Sequence, residues 1–104
     1  MANTLSGFIT VATPGTAVAG PATGAGTFIL MANPANTGTY CYVGNDSLDD
    51  VSSTNGYPLS KTLGNQIVIE VGPGGLAECY FDSDTASDDV IYLRIEGEKD
   101  APAA

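Results

Sequence analysis

Two stretches of this chain carry enough closely spaced carboxylates to suggest cation binding. Asp82, Asp84, Asp88 and Asp89 lie in one run, and Asp46, Asp49 and Asp50 in another. Calcium takes about six to eight oxygen ligands, and the best-known loop that supplies them has fixed spacing. Counted from Asp82, the first run puts Ala86 at the third ligand position, Ser87 where glycine is required and Leu93 where a bidentate glutamate belongs. No metal is therefore expected, and both runs are read as solvated, self-repelling turns. Glu70 and Asp82 could pose as the carboxylate pair of a glycosidase, but that chemistry needs a cleft and a raised pKa, and the sequence offers no sign of either. Tyr40 and Tyr42 share one strand face and could form an aromatic ledge for a sugar or a protein, with Tyr80 and Tyr92 at similar alternate positions.

The chain contains no histidine, which removes the side chain most used for proton transfer near neutral pH and the commonest transition-metal ligand. Cys41 and Cys79 are the only cysteines, too far apart for a CxxC redox or zinc motif. Each sits in an apolar stretch, so both are expected reduced and buried, as in a protein used in a reducing cytosol. Glycine-rich Gly24-Ala25-Gly26 and Gly72-Pro73-Gly74-Gly75 lack the strand-to-helix setting of a phosphate loop and read as turns. No catalytic residue and no cofactor is expected, and the chain reads as a non-enzyme.

Charge narrows the partners. Twelve acidic residues against three basic ones give a net charge of −9 in 104 residues. Lys61, Arg94 and Lys99 are too few and too scattered to neutralise phosphates, so nucleic acid is excluded as the main ligand and an anionic membrane is disfavoured. No window resembles a secretory signal or a membrane span. The distribution is uneven: residues 1–45 hold no charged side chain at all.

These side chains must be positioned by strands. Pro14, Pro21 and Pro34 break the neutral half too often for a long helix, and its runs are β-prone. Candidate strands cover residues 8–13, 16–19, 27–32 and 39–44, with Phe28, Ile29, Leu30 and Met31 apolar on both faces, as in a central strand. Further along, period-two alternation puts Ile67, Ile69 and Val71 on one inward face, Cys79 and Phe81 on another, and Ile91, Leu93 and Ile95 on a third. Glu70, Glu78, Asp82, Arg94 and Glu96 then point to water. Residues 46–51 could make one helical turn. About seven to eight short strands punctuated by Asn-Gly and Gly-Pro turns predict an all-β fold, a small antiparallel β-sandwich or jelly-roll-like barrel. Leu, Ile, Val and Phe number only 23, so a domain this small has a thin stability margin and gains from a partner.

Three segments together carry a resemblance. They are Asn36-Thr37-Gly38 leading into Tyr40-Cys41-Tyr42-Val43-Gly44, then Asn55-Gly56-Tyr57-Pro58-Leu59, and finally Asp82-Ser83-Asp84-Thr85 before Val90-Ile91-Tyr92-Leu93. With Gly15-Thr16-Ala17 as the opening, this plan over residues 15–95 resembles small β-rich structural proteins of tailed bacteriophages, of the head decoration or cement kind. The resemblance implies a virion component, assembled in the host cytoplasm, that binds the outside of a shell of major capsid protein, commonly as a homotrimer. It brings no catalytic residue. The alternative within the same resemblance is a tail, neck or head-fibre component with an adaptor or host-binding role.

Outside that plan, residues 1–14 read as an N-terminal arm, residues 15–96 as the sandwich and residues 97–104 as a tail. The arm carries Leu5, Phe8, Ile9 and Val11 with no charged side chain, so burying it against another subunit costs no charge desolvation. Leu5, Phe8, Ile9, Val11, Tyr40 and Tyr42 are the expected interface residues, while the acidic second half supplies exposed loops.

Overall fold

Alternating apolar and polar residues bounded by turn formers build strands that must cover one another, and in this chain they do so as two layers. The structure, a computed structural model, describes residues 5–44, 51 and 56–96. Among the described residues eight strands run in chain order: β1 Ser6–Val11, β2 Val18–Ala19, β3 Gly26–Ala32, β4 Tyr40–Gly44, β5 Tyr57–Ser60, β6 Gln66–Val71, β7 Tyr80–Ser83 and β8 Asp88–Glu96. They form two antiparallel four-stranded sheets, β1-β8-β3-β6 and β2-β7-β4-β5, packed as the expected all-β sandwich. One element breaks the pattern. The stretch after Gly72, expected as a plain turn, winds into a single 3-10 turn at Gly75–Glu78 that buries Leu76.

Core side chains come from one parity of each strand. Phe28, Leu30 and Ala32 of β3, Cys41 and Val43 of β4, Leu59 of β5, Phe81 of β7 and Val90 and Tyr92 of β8 are buried together. Ile67 and Ile69 pack against this cluster from β6. Tyr92 meets Phe28 edge to face, 6.0 Å between ring centroids, and lies over Gly7, where a Cβ would come within 2.7 Å of the tyrosine hydroxyl. A glycine on β1 is what lets the ring fit.

From residue 5 onward, where the structure describes it, the segment before residue 15 is not an arm. Ser6–Val11 is the edge strand of the first sheet, paired with β8 from Ser6 opposite Leu93 to Val11 opposite Asp88. Ile9 and Val11 point into the core and are buried, and Leu5 packs against it. An apolar inward face suits a strand of the core, where an unpaired charge is costly, and Ile9 and Val11 are core residues of the domain rather than docking residues. Phe8, of opposite parity, faces out.

On β8 the inward and outward faces are the reverse of the expectation. Val90 and Tyr92 are buried, whereas Ile91 is half-buried and Leu93 and Ile95 are exposed. Arg94 shares the inward parity: its guanidinium sits 6.0 Å from the Phe28 ring centroid, and Nη1 donates to the Thr23 carbonyl at 3.2 Å. A strand that is apolar on both faces does not declare which face is inside. Here a buried carboxylate decides it, because Asp88 shares the parity of Val90 and Tyr92 and is held inward by the backbone of another loop.

Candidate functional site

The acidic run from β7 into β8 is a clasp. Asp88, only 3% exposed, accepts the Thr37 N–H on Oδ1 at 2.9 Å and the Gly38 N–H on Oδ2 at 2.8 Å. Asp82, also buried, accepts the Gly15 N–H at 2.9 Å and its neighbour Ser83 N–H at 2.8 Å. Asp89 accepts the Thr10 hydroxyl at 2.7 Å. These carboxylates are therefore structural acceptors for scattered loops, and the expected self-repelling turn is corrected: backbone N–H groups hold the charges apart and in place.

Asn36 completes the clasp. Its side chain donates to the Asp89 carbonyl at 2.9 Å and accepts the Asp89 N–H at 2.8 Å, taking the part of a neighbouring strand residue. Lys61 Nζ donates to the Asn36 carbonyl. Gly38 must be glycine, since a Cβ there would collide with Thr85 Oγ1 and come within 2.9 Å of Asp88 Oδ2. The Asn-Thr-Gly and Asp-rich segments are thus two halves of one contact. Among the described residues, no group of three His, Cys, Asp or Glu converges as a metal would require. The Asp46, Asp49 and Asp50 run, and the possible turn over residues 46–51 apart from Val51, lie outside the described residues.

The tyrosine ledge is half present. Tyr40 and Tyr42 stack with centroids 6.2 Å apart, but Tyr42 is only 7% exposed. Its hydroxyl donates to Asp84 Oδ1 at 3.0 Å, and burial together with that carboxylate pushes the phenol up to about 12. Tyr42 is a structural residue, and of the stacked pair only Tyr40 is exposed. Both cysteines are free and buried. Burial, then the charge of Asp88, pushes the Cys41 thiol up to about 12. Burial also raises Cys79, which lines a cavity of about 300 Å³ with Val43, Ile67, Ile69 and Val71. Neither thiol is poised as a nucleophile.

The outer face of the first sheet is where apolar surface is left uncovered. The register aligns Ser6, Leu93, Ile29 and Val68 in one row across β1, β8, β3 and β6, and Phe8, Ile91, Met31 and Gln66 in the next. Phe8 is 63% exposed, Val68 55%, Ile95 53% and Leu93 37%, while Ile29, Met31 and Ile91 are half-buried among them. No charged side chain interrupts these two rows. Such a contiguous apolar face on a folded domain marks a contact surface, whereas single exposed apolar residues are ordinary. Of the six expected interface residues only Phe8 belongs to it. The others on this face, Ile29, Met31, Val68, Ile91, Leu93 and Ile95, were assigned to the core or left unassigned. A signal was available: β3 and β8 are apolar on both faces, and a two-layer sandwich of this length has no third layer to cover them. Compared with known protein families, curated proteins and solved structures, the chain matches none of them.

Proposed function

We propose that the chain is a virion structural protein of the capsid decoration kind, which adds to the outside of a shell of major capsid protein and stabilises contacts between shell subunits. The observation that carries the reading is the uncovered apolar face of β1-β8-β3-β6: a completed sandwich with satisfied clasps still leaves a contiguous apolar surface to bury. The resemblance of the Asn-Thr-Gly, Asn-Gly-Tyr-Pro-Leu and Asp-x-Asp-Thr plan to phage head proteins supports the choice of partner. A net charge of −9 suits a surface that faces outward and repels packaged DNA and neighbouring particles. Trimer formation and assembly in the host cytoplasm belong to the same proposal.

Quantitative mass spectrometry of virions purified from the phage that encodes the chain tests it. Hundreds of copies per particle are expected for decoration. A few dozen or fewer would move the protein to the tail, neck or head fibre, and absence from the particle would end the virion reading.

A further inference from the structure

The described charges around the apolar face are of one sign. Asp89 stands opposite Thr10 beyond one end of the two apolar rows, and Glu70 opposite Thr27 beyond the other. The two described cations are committed elsewhere, Lys61 to the carbonyls of Asn36 and Thr37 and Arg94 to Thr23 and the Phe28 ring on the inward side. The face is therefore an apolar centre with acidic ends.

Its size sets a second constraint. Four strands about 4.8 Å apart, each presenting about 20 Å of length, make a face of about 400 Å². Two copies face to face would bury about 800 Å² in total, short of the roughly 1,200 to 2,000 Å² of a stable specific interface. In a two-fold face-to-face arrangement the partner's acidic ends supply no opposite charge for Glu70 and Asp89. Size limits any occupant of this face alike, and the like charge at the ends is what makes a second copy a poor one.

We propose that the outer face of β1-β8-β3-β6 docks on a capsid-subunit surface whose apolar centre is bordered by Lys or Arg side chains, so that Glu70 and Asp89 pair with cations at its two ends. This rests on the decoration reading and names the chemistry of the partner. Each contact is small, so occupancy depends on a charge-steered, salt-sensitive attachment at many equivalent sites, and any contact between copies lies on another surface.

The test uses purified protein added to shells made without it, with bound copies per shell counted at low and high salt. Leu93→Asp and Val68→Asp, both at exposed positions and checked for an unchanged melting temperature, should each lower affinity at least about tenfold. Glu70→Lys and Asp89→Lys, held to the same melting-temperature check because Asp89 also accepts the Thr10 hydroxyl, should lower it about fivefold each and flatten the salt dependence. Sedimentation of the free protein should be the same for wild type and Leu93→Asp. Unchanged binding by both aspartate variants overturns the proposal while leaving decoration intact. Equal or tighter binding by both lysine variants overturns the basic border, and a Leu93→Asp change in the oligomeric state of free protein makes the face a self-interface. Wild-type protein that fails to bind shells overturns the decoration reading itself, and the proposal with it.

Discussion

Replacing Asp88 by asparagine tests whether a single buried carboxylate fixes the inward face of β8. In the wild type both carboxylate oxygens are used, one by the Thr37 N–H and one by the Gly38 N–H, and the side chain is 3% exposed. Asparagine has nearly the same shape, but its amide must turn an NH2 toward one of those two N–H groups. One hydrogen bond to a charged acceptor is lost, about 1.5 to 3 kcal/mol, and the other is weakened from charged to neutral. Because Thr37 is exposed, water recovers part of the loss, and a net cost of about 2 to 3 kcal/mol is expected. At about 4 to 8 °C per kcal/mol for a domain of this size, Tm should fall by about 8 to 24 °C. Asp84→Asn is the matched control. Asp84 is exposed and accepts only the Tyr42 hydroxyl, so the cost there should stay below about 1 kcal/mol. Urea unfolding of the three proteins at pH 7 separates the cases. If Asp88→Asn unfolds at the same urea concentration as Asp84→Asn and wild type, the carboxylate clasp does not hold β8 and the explanation of its parity is wrong.

Three further outcomes follow from the same geometry. Gly38→Ala should destabilise by about 1 to 3 kcal/mol, read by the same urea titration, because its Cβ would meet Thr85 and Asp88. Burial raises Cys41 to about 12 from an ordinary value near 9.0, and Tyr42 is likewise raised to about 12. Both favour their neutral forms when folded, so the stability they contribute is fully present below about pH 9 and is lost as pH rises toward 12. Unfolding free energy should therefore fall as pH rises from about 9 toward 12, and native Cys41 should alkylate far more slowly at pH 8 than it does in denaturant, where both thiols should react. Added calcium or a chelator should leave Tm unchanged, since both Asp88 oxygens and Oδ1 of Asp82 are already spent on backbone N–H groups. A calcium-induced rise of several degrees would contradict that assignment.

Strands were readable in this sequence where alternation was clean. Ile67, Ile69 and Val71, and Cys79 with Phe81, point inward as their pattern dictates, and β3 reads as a central strand from its unbroken apolar run. What alternation could not supply is the sign of a strand that is apolar on both faces. For Val90-Ile91-Tyr92-Leu93 that sign is set by a contact with Thr37 and Gly38, some fifty residues away in the chain, and local pattern carries no information about it. The same blindness turned an uncharged edge strand into an expected arm: absence of charge fits a core strand and a docking segment equally, and only pairing with β8 distinguishes them. Tyr57-Pro58-Leu59 was legible as a motif but not as a strand, because proline suits only an edge, and β5 is the edge of its sheet. The acidic turn was misread for a related reason. A carboxylate cluster repels itself unless donors are brought to it, and those donors are backbone N–H groups of residues 15, 37 and 38 that composition does not reveal.

The central claim is that the outer face of β1-β8-β3-β6 is the face that attaches. Hydroxyl-radical footprinting of the protein free and on purified particles reads this directly, because apolar side chains oxidise in proportion to their exposure. Phe8, Val68 and Leu93 should be oxidised in free protein and protected on the particle, while Tyr40 and Tyr57, exposed on the other sheet, keep their free-protein rates. Protection of Tyr40 and Tyr57 with Phe8, Val68 and Leu93 still oxidised would overturn attachment through the outer face.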